Sequence, residues 1–161
     1  MDLEDQYDKL YRYCYFRVRD VQTAEDLVQE TFLRWLDHYP GQREREALPT
    51  LYTIARNVFL DQTRRKRNTE IQLPRELPDT AGVTLTEALE DREEVLALHR
   101  ILHTLPEPYK EVFGLRVFGE LPFRAIGQVF GKTEGWARVT YYRAKSRILR
   151  QWEAERDESE L

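Results

Sequence analysis

Six cations crowd the stretch "GKTEGWARVTYYRAKSRILRQW" at residues 131–152: Lys132 and then Arg138, Arg143, Lys145, Arg147 and Arg150, against one acid, Glu134. In a chain of net charge −4, side chains at that density meet either water or a polyanion. A second basic stretch, "YTIARNVFLDQTRRKR", puts Thr53, Arg56, Asn57, Arg64 and Arg67 on one helical face, spanning roughly 100° of arc, and adds Arg65 beside them. Arg, Asn and Thr in such a strip can neutralise phosphates and hydrogen-bond base edges. The parts for covalent chemistry are missing. There is no Gly-rich phosphate loop and no nucleophile motif. His99 and His103 stand four apart, a spacing that offers two metal ligands, but no third ligand is evident near them. Cys14 is the single cysteine, which rules out a disulfide framework and a thiolate cluster and fits a reducing compartment. The expectation is therefore a binding protein, with no catalytic residue, metal, cofactor or small-molecule substrate.

The basic stretches need scaffolds. With Ala137 at the origin of a helical wheel, Tyr141, Ala144 and Ile148 fall within about 40° of it, an apolar stripe that leaves the five cations from Arg138 onward outside. Upstream, Leu121, Ile126 and Phe130 supply the apolar face of a short helix, Gly127 allows two helices to approach, "GKTE" makes a turn, and Thr133 can cap the next helix. Short helix, turn and basic second helix is the helix-turn-helix plan, whose second helix enters the major groove. Arg138, early on that helix, suits a guanine edge. Arg143 can reach a base or a phosphate, while Lys145, Arg147 and Arg150 suit the backbone. Trp136 can pack against a phosphate sugar or cover the turn, and core packing is the expected role.

Elsewhere the apolar residues also recur near the helical period, and no convincing alternating strand appears. A first helix is expected over Leu3–Arg19, its stripe made of Leu3, Tyr7, Leu10, Cys14 and Val18. A second runs from Thr23, as cap, to His38, with "YPGQ" ending it. It buries Ala24, Leu27, Val28, Thr31, Phe32 and Trp35 and turns Asp26, Gln29, Leu33 and Leu36 outward. Two leucines beside carboxylates mark a protein-binding patch. The third begins near Leu48–Pro49 and ends in "RRKR", with Leu48, Leu51, Ala55, Val58 and Phe59 facing inward. After residues 68–85, rich in breakers, helices are expected over Thr86–His103, Glu107–Phe118, Pro122–Phe130 and Glu134–Glu153, with a frayed end. The fold class is all-α: two small helical domains, 1–67 and 92–153, joined by a flexible acidic linker, 68–91, with a tail at 154–161.

Charge follows that division. Residues 1–67 balance to zero, 68–99 carry −6, 100–150 carry +6, and the tail carries −4. An anionic partner for the basic block and a spacer role for the acidic one follow. The N-terminus "MDLEDQYDKL" is acidic and lacks the apolar run of a signal peptide. No run approaches the roughly 18 apolar residues of a membrane span, so a soluble cytoplasmic protein is expected.

Three stretches, in order, carry a likeness to a known family: "AEDLVQETFLRWL", "YTIARNVFLDQTRRKR" and "LPEPYKEVFGLRVFGELPFRAIGQVFGKTEGWARVTYYRAKSRIL". Together they resemble the extracytoplasmic-function (ECF) group of sigma factors, over about residues 5 to 151. The resemblance implies a region 2-like bundle that binds core RNA polymerase and the −10 promoter element. It also implies a region 4-like helix-turn-helix that reads the −35 element. It places Asp26, Leu27, Gln29, Glu30 and Leu33 against the β′ clamp helices of a polymerase whose β and β′ subunits are both partners. It carries Tyr52, Thr53, Arg56, Asn57, Arg64, Arg65 and Arg67 onto the −10-reading helix. Thr133, Arg138, Thr140, Tyr142, Arg143, Lys145 and Arg147 fall on the −35-reading surface. The loop from about Tyr39 to Ala47 corresponds to the segment that captures a flipped −10 base. Thr50 replaces a frequent Trp, so that stacking falls to Tyr52 or is absent, and Thr140 replaces a frequent Arg, so base preference at −35 departs from the commoner pattern. Such factors are usually restrained by an anti-sigma factor, often membrane-anchored. The acidic linker would pass near the polymerase's RNA exit path.

A different class stays open on the residues alone: a helix-turn-helix regulator whose N-terminal half dimerises or senses, binding paired half-sites without polymerase. A helical interaction module without nucleic acid leaves the basic strip of the third helix unexplained.

Overall fold

The computed structural model describes residues 3–41, 44–69 and 92–160. Those residues form seven helices and no strand: α1 (Leu3–Val18), α2 (Val21–His38), α3 (Glu44–Thr69), α4 (Arg92–Thr104), α5 (Tyr109–Val117), α6 (Phe123–Phe130) and α7 (Glu134–Glu160). The all-α expectation holds. Most of the stretch expected as a linker lies outside the described residues; Asn68 and Thr69 continue α3. Among the described residues no helix is long and apolar enough to cross a membrane.

α2 packs on both α1 and α3. Leu10, Cys14 and Val18 meet Ala24, Leu27 and Val28 from α2 and Leu51, Ala55 and Val58 from α3 in one buried cluster. These are the stripes that the helical period marks, save Tyr7 of α1, which is 38% exposed, and Leu3, whose side chain lies outside the described residues. Two boundaries differ from expectation. Asp20, not Thr23, caps α2: its carboxylate accepts from the Thr23 backbone N–H at 2.9 Å and from the Thr23 hydroxyl at 2.5 Å. A carboxylate satisfies two donors at the helix end, and an Asp cap is as good as any. α3 starts at Glu44, so Pro49 lies inside it rather than in its first turn.

In the C-terminal half, α4, α5 and α6 all pack on α7. Ile101, Leu102 and Leu105 of the α4 end pack with Ala144 and Ile148 of α7. α7 runs to Glu160, beyond the expected end at Glu153, so the tail expected to fray is helical.

The halves touch. α1 buries a second face, Tyr13 and Phe16, toward the C-terminal half. Phe16 completes the cluster of Ile101, Leu102, Leu105, Ala144 and Ile148, and its ring stacks on Phe118 at 4.8 Å. The Tyr13 hydroxyl donates to Glu111. Burial pushes the Glu111 carboxyl up to about 8. α3 packs along α6, so Val112, Leu115, Leu121 and Ile126 share a core with Leu10, Leu51 and Tyr52.

Candidate nucleic-acid interface

The turn between α6 and α7 is built from backbone geometry. Gly131 ends α6 in the left-handed region at φ 65°, a conformation that costs glycine little. The Lys132 N–H closes on the Gly127 carbonyl at 2.7 Å. A Cβ on Gly127 would lie 2.8 Å from the carbonyl oxygens of both Lys132 and Thr133, so the expected close approach is made by backbone, which cannot step aside. Gly127→Ala should therefore cost about 1–3 kcal/mol, read by urea unfolding. Unchanged stability would show that the turn relaxes freely. Thr133 caps α7 as expected, its hydroxyl accepting from the Trp136 N–H at 3.0 Å. Trp136 covers the turn, its ring 5.1 Å from Phe130.

α7 then presents an outward face. Arg138, Tyr142, Arg143, Lys145, Arg147 and Arg150 are exposed. Arg138 pairs with Glu134 at 3.2 Å, both side chains 52% exposed, and its guanidinium lies 5.3 Å from the Phe123 ring centroid. A surface ion pair of this kind contributes little, so the guanidinium can exchange Glu134 for a base edge. Arg147 stacks over Tyr109 at 4.5 Å. Arg143, Ser146, Arg147, Arg150 and Tyr109 line a shallow basic groove of about 300 Å³, a shape suited to phosphates. Thr140 departs from expectation. It is 5% exposed and lies about 60° from Ala137 on the wheel, on the packed side, so it offers no surface to DNA. Val139 does. It is 49% exposed between Arg138 and Tyr142, where an apolar side chain can meet a thymine methyl. Hydropathy made it unremarkable; only its outward placement marks it.

On α2, Asp26, Gln29 and Leu33 face outward, and Leu33 and Leu36 are 62% and 60% exposed. Glu30 is half-buried and accepts from Arg34 at 2.8 Å. Leu27, also expected in the patch, is fully buried with Ala24 and Val28. It supports the surface from beneath and cannot contact a partner.

α3 splits. Asn57, Arg64 and Arg65 are exposed, and the Arg67 side chain lies outside the described residues. Thr53 is half-buried, its hydroxyl donating to the Pro49 carbonyl at 2.7 Å. Tyr52, expected to stack on DNA, is fully buried, its hydroxyl 3.3 Å from the Gly119 carbonyl. The Arg56 guanidinium lies 4.7 Å over the Phe130 ring, and burial lowers its pKa. Of the loop expected to take a flipped base, residues 42–43 lie outside the described residues, and α3 begins within it. His99 and His103 stack with rings 6.1 Å apart, and among the described residues no three His, Cys, Asp or Glu side chains gather as a metal site.

This geometry defines a bipartite helical protein: a three-helix bundle with an exposed apolar patch, and a helix-turn-helix with an arginine-bearing second helix. The comparisons with known proteins agree with it. A family model described as Sigma-70 region 2 matches residues 3–69, and one described as Sigma-70, region 4 matches residues 95–148. The chain is similar to the ECF RNA polymerase sigma factor SigW of Bacillus subtilis, 28% identical over 163 residues, covering 93% of this chain and 87% of the relative. It is similar to SigM of the same organism, 27% identical over 143 residues, with 86% and 85% covered. It is also similar to the ECF factor BldN of Streptomyces coelicolor, 34% identical over 157 residues, covering 92% of this chain and 58% of that one. The structure of the Bartonella quintana sigma factor RpoE in complex with the anti-sigma factor NepR matches with a TM-score of 0.64 at 19% identity, covering 94% of each chain. The chain belongs to the sigma-70 family, in its ECF group. That is a family of transcription-initiation factors, not of classical enzymes.

Proposed function

We propose that this chain directs core RNA polymerase to promoters as an ECF sigma factor, with its two halves dividing the work. The observation that carries the reading is the outer face of α7. There Arg138, Val139, Tyr142 and Arg143 are exposed on a helix whose approach is set by Gly127 and Thr133. This face takes the −35 duplex in the major groove: Arg138 supplies base discrimination, and Lys145, Arg147 and Arg150 anchor the backbone. The α2 patch of Asp26, Gln29, Glu30, Leu33 and Leu36 docks on the β′ clamp helices. Asn57, Arg64 and Arg65 of α3 engage the −10 element, with the half-buried Arg56 beside them. The chain adds recognition to an enzyme that alone makes RNA. An anti-sigma protein is a further proposed partner; likeness to a factor solved with NepR supports that class of antagonist, and its anchoring is left to it.

Run-off transcription with purified core polymerase and a genomic fragment library tests this. Discrete transcripts should require both chain and core. A free chain that footprints paired half-sites on duplex DNA, with no core-dependent transcript, would favour a conventional helix-turn-helix regulator.

A further inference from the structure

A long arginine side chain loses rotamer freedom when it fixes on a base, and that loss offsets part of the contact. Where the Arg138 guanidinium waits before DNA arrives therefore matters. Two partners hold it. Glu134, one turn back on α7, accepts from Nη2 at 3.2 Å. Phe123, the first residue of α6, has its ring under the guanidinium, 5.3 Å from Cζ to the centroid, within the range of a cation–π contact. The two use different parts of the group. Glu134 takes the N–H edge, which is also the edge a guanine takes, so it must release when the base arrives. An aromatic ring takes the flat face, so Phe123 can keep its contact while the edge donates. The ring is itself anchored. Arg116 of α5 lies over it at 4.1 Å, with Nη1 donating to the Leu121 carbonyl at 3.0 Å. The Tyr141 ring of α7 lies 5.6 Å away. Phe123 is half-buried and packs against the cluster that holds Ala125, Ile126 and Ala137. Three helices thus converge on one ring.

We infer that Phe123 is a positioning residue for base reading: it holds the Arg138 guanidinium by its face and leaves the N–H edge free for a guanine, so the specificity of α7 depends on an aromatic side chain of α6. The inference rests on the proposed reading of duplex DNA by α7, and is indifferent to whether polymerase carries the chain there. Its consequence is selective. The ordering cost that the ring removes arises only where Arg138 finds its base. On a wrong base pair the guanidinium is not fixed, and the ring gains nothing there. Phe123 therefore adds to discrimination and not to general affinity, which separates it from a residue that merely supports the helix.

A randomised duplex pool is selected in parallel by the full-length chain alone and by the chain with core polymerase, and the preferred duplex is then varied one base pair at a time. Arg138→Ala identifies the pair that Arg138 reads. Phe123→Leu should weaken binding to the preferred duplex about 3- to 10-fold and leave affinity unchanged for duplexes altered at that pair. In the Arg138→Ala background Phe123→Leu should cost nothing further, and Phe123→Tyr, which keeps the ring, should keep the wild-type discrimination. A general loss of stability in Phe123→Leu acts on all duplexes alike, so it cannot imitate this pattern. An equal loss on every duplex, or the same loss with and without Arg138, would overturn the inference, as would a pool from which neither sample selects a sequence. Selection by the holoenzyme alone supports the initiation role. Selection by the free chain alone refutes that role, and Phe123 is then judged by the same variants on the duplex so selected.

Discussion

Leu33→Asp should abolish assembly with core RNA polymerase while leaving the chain folded. The side chain is 62% exposed beside Leu36 and belongs to neither buried cluster. Replacing it should shift stability by no more than about 0.5 kcal/mol, the usual range for surface positions. At a docked interface the same change places a carboxylate in the apolar centre of the patch. An unpaired charge buried there costs several kcal/mol after relaxation, and central anchors dominate interface energies. The expected loss is at least about 100-fold in affinity, or about 2.7 kcal/mol. Fluorescence anisotropy with labelled chain and purified core measures it, and circular dichroism checks the fold. Wild-type affinity in the variant would remove the α2 patch from the polymerase interface. Leu27→Asp is an unsuitable control, because that residue is fully buried and its loss would unfold the bundle.

Arg138→Ala should weaken holoenzyme binding at the −35 element by about 1–3 kcal/mol, roughly 5- to 150-fold, and relax discrimination at one base pair. The residue's partners within the chain, Glu134 and the Phe123 face, are exposed or half-buried, so the fold should lose little. The readout is the affinity of holoenzyme for a set of promoter fragments, each with one −35 base replaced. A flat loss across all fragments would make Arg138 a phosphate anchor. An unchanged set would remove it from the interface. Arg147→Ala provides the contrast, because a backbone contact weakens every fragment alike and reduces the salt dependence.

Much of the interface was legible in the residues because its parts are local. The turn at Gly127, the Thr133 cap and the outward arginines of α7 all lie within one helix-turn-helix, where spacing alone determines the geometry. Where the resemblance misled, the cause was also local. Thr140 and Leu27 lie near the edge of their apolar stripes, and likeness to a motif placed them outside although packing draws them in, as the helical period alone indicates for Leu27. Asp20 displaced Thr23 as cap because a carboxylate accepts from both the backbone N–H and the hydroxyl of that threonine.

The amino-acid sequence by itself determined seven helical segments' worth of periodicity, the inward stripes of α2 and α3, the charge division between the halves and the family. Each of these is a property of neighbours along the chain, which a period near 3.6 residues exposes. Only the tertiary structure decided what the second face of α1 does. Tyr13, Phe16 and Arg17 lie off the main stripe of α1, and spacing singles out neither them nor Gly114 and Gly119. Their meaning lies in partners far along the chain, Tyr13 with Glu111 and Tyr52 with Gly119. Periodicity reports that a face is apolar but not which distant surface covers it. That choice belongs to shape and charge complementarity in three dimensions.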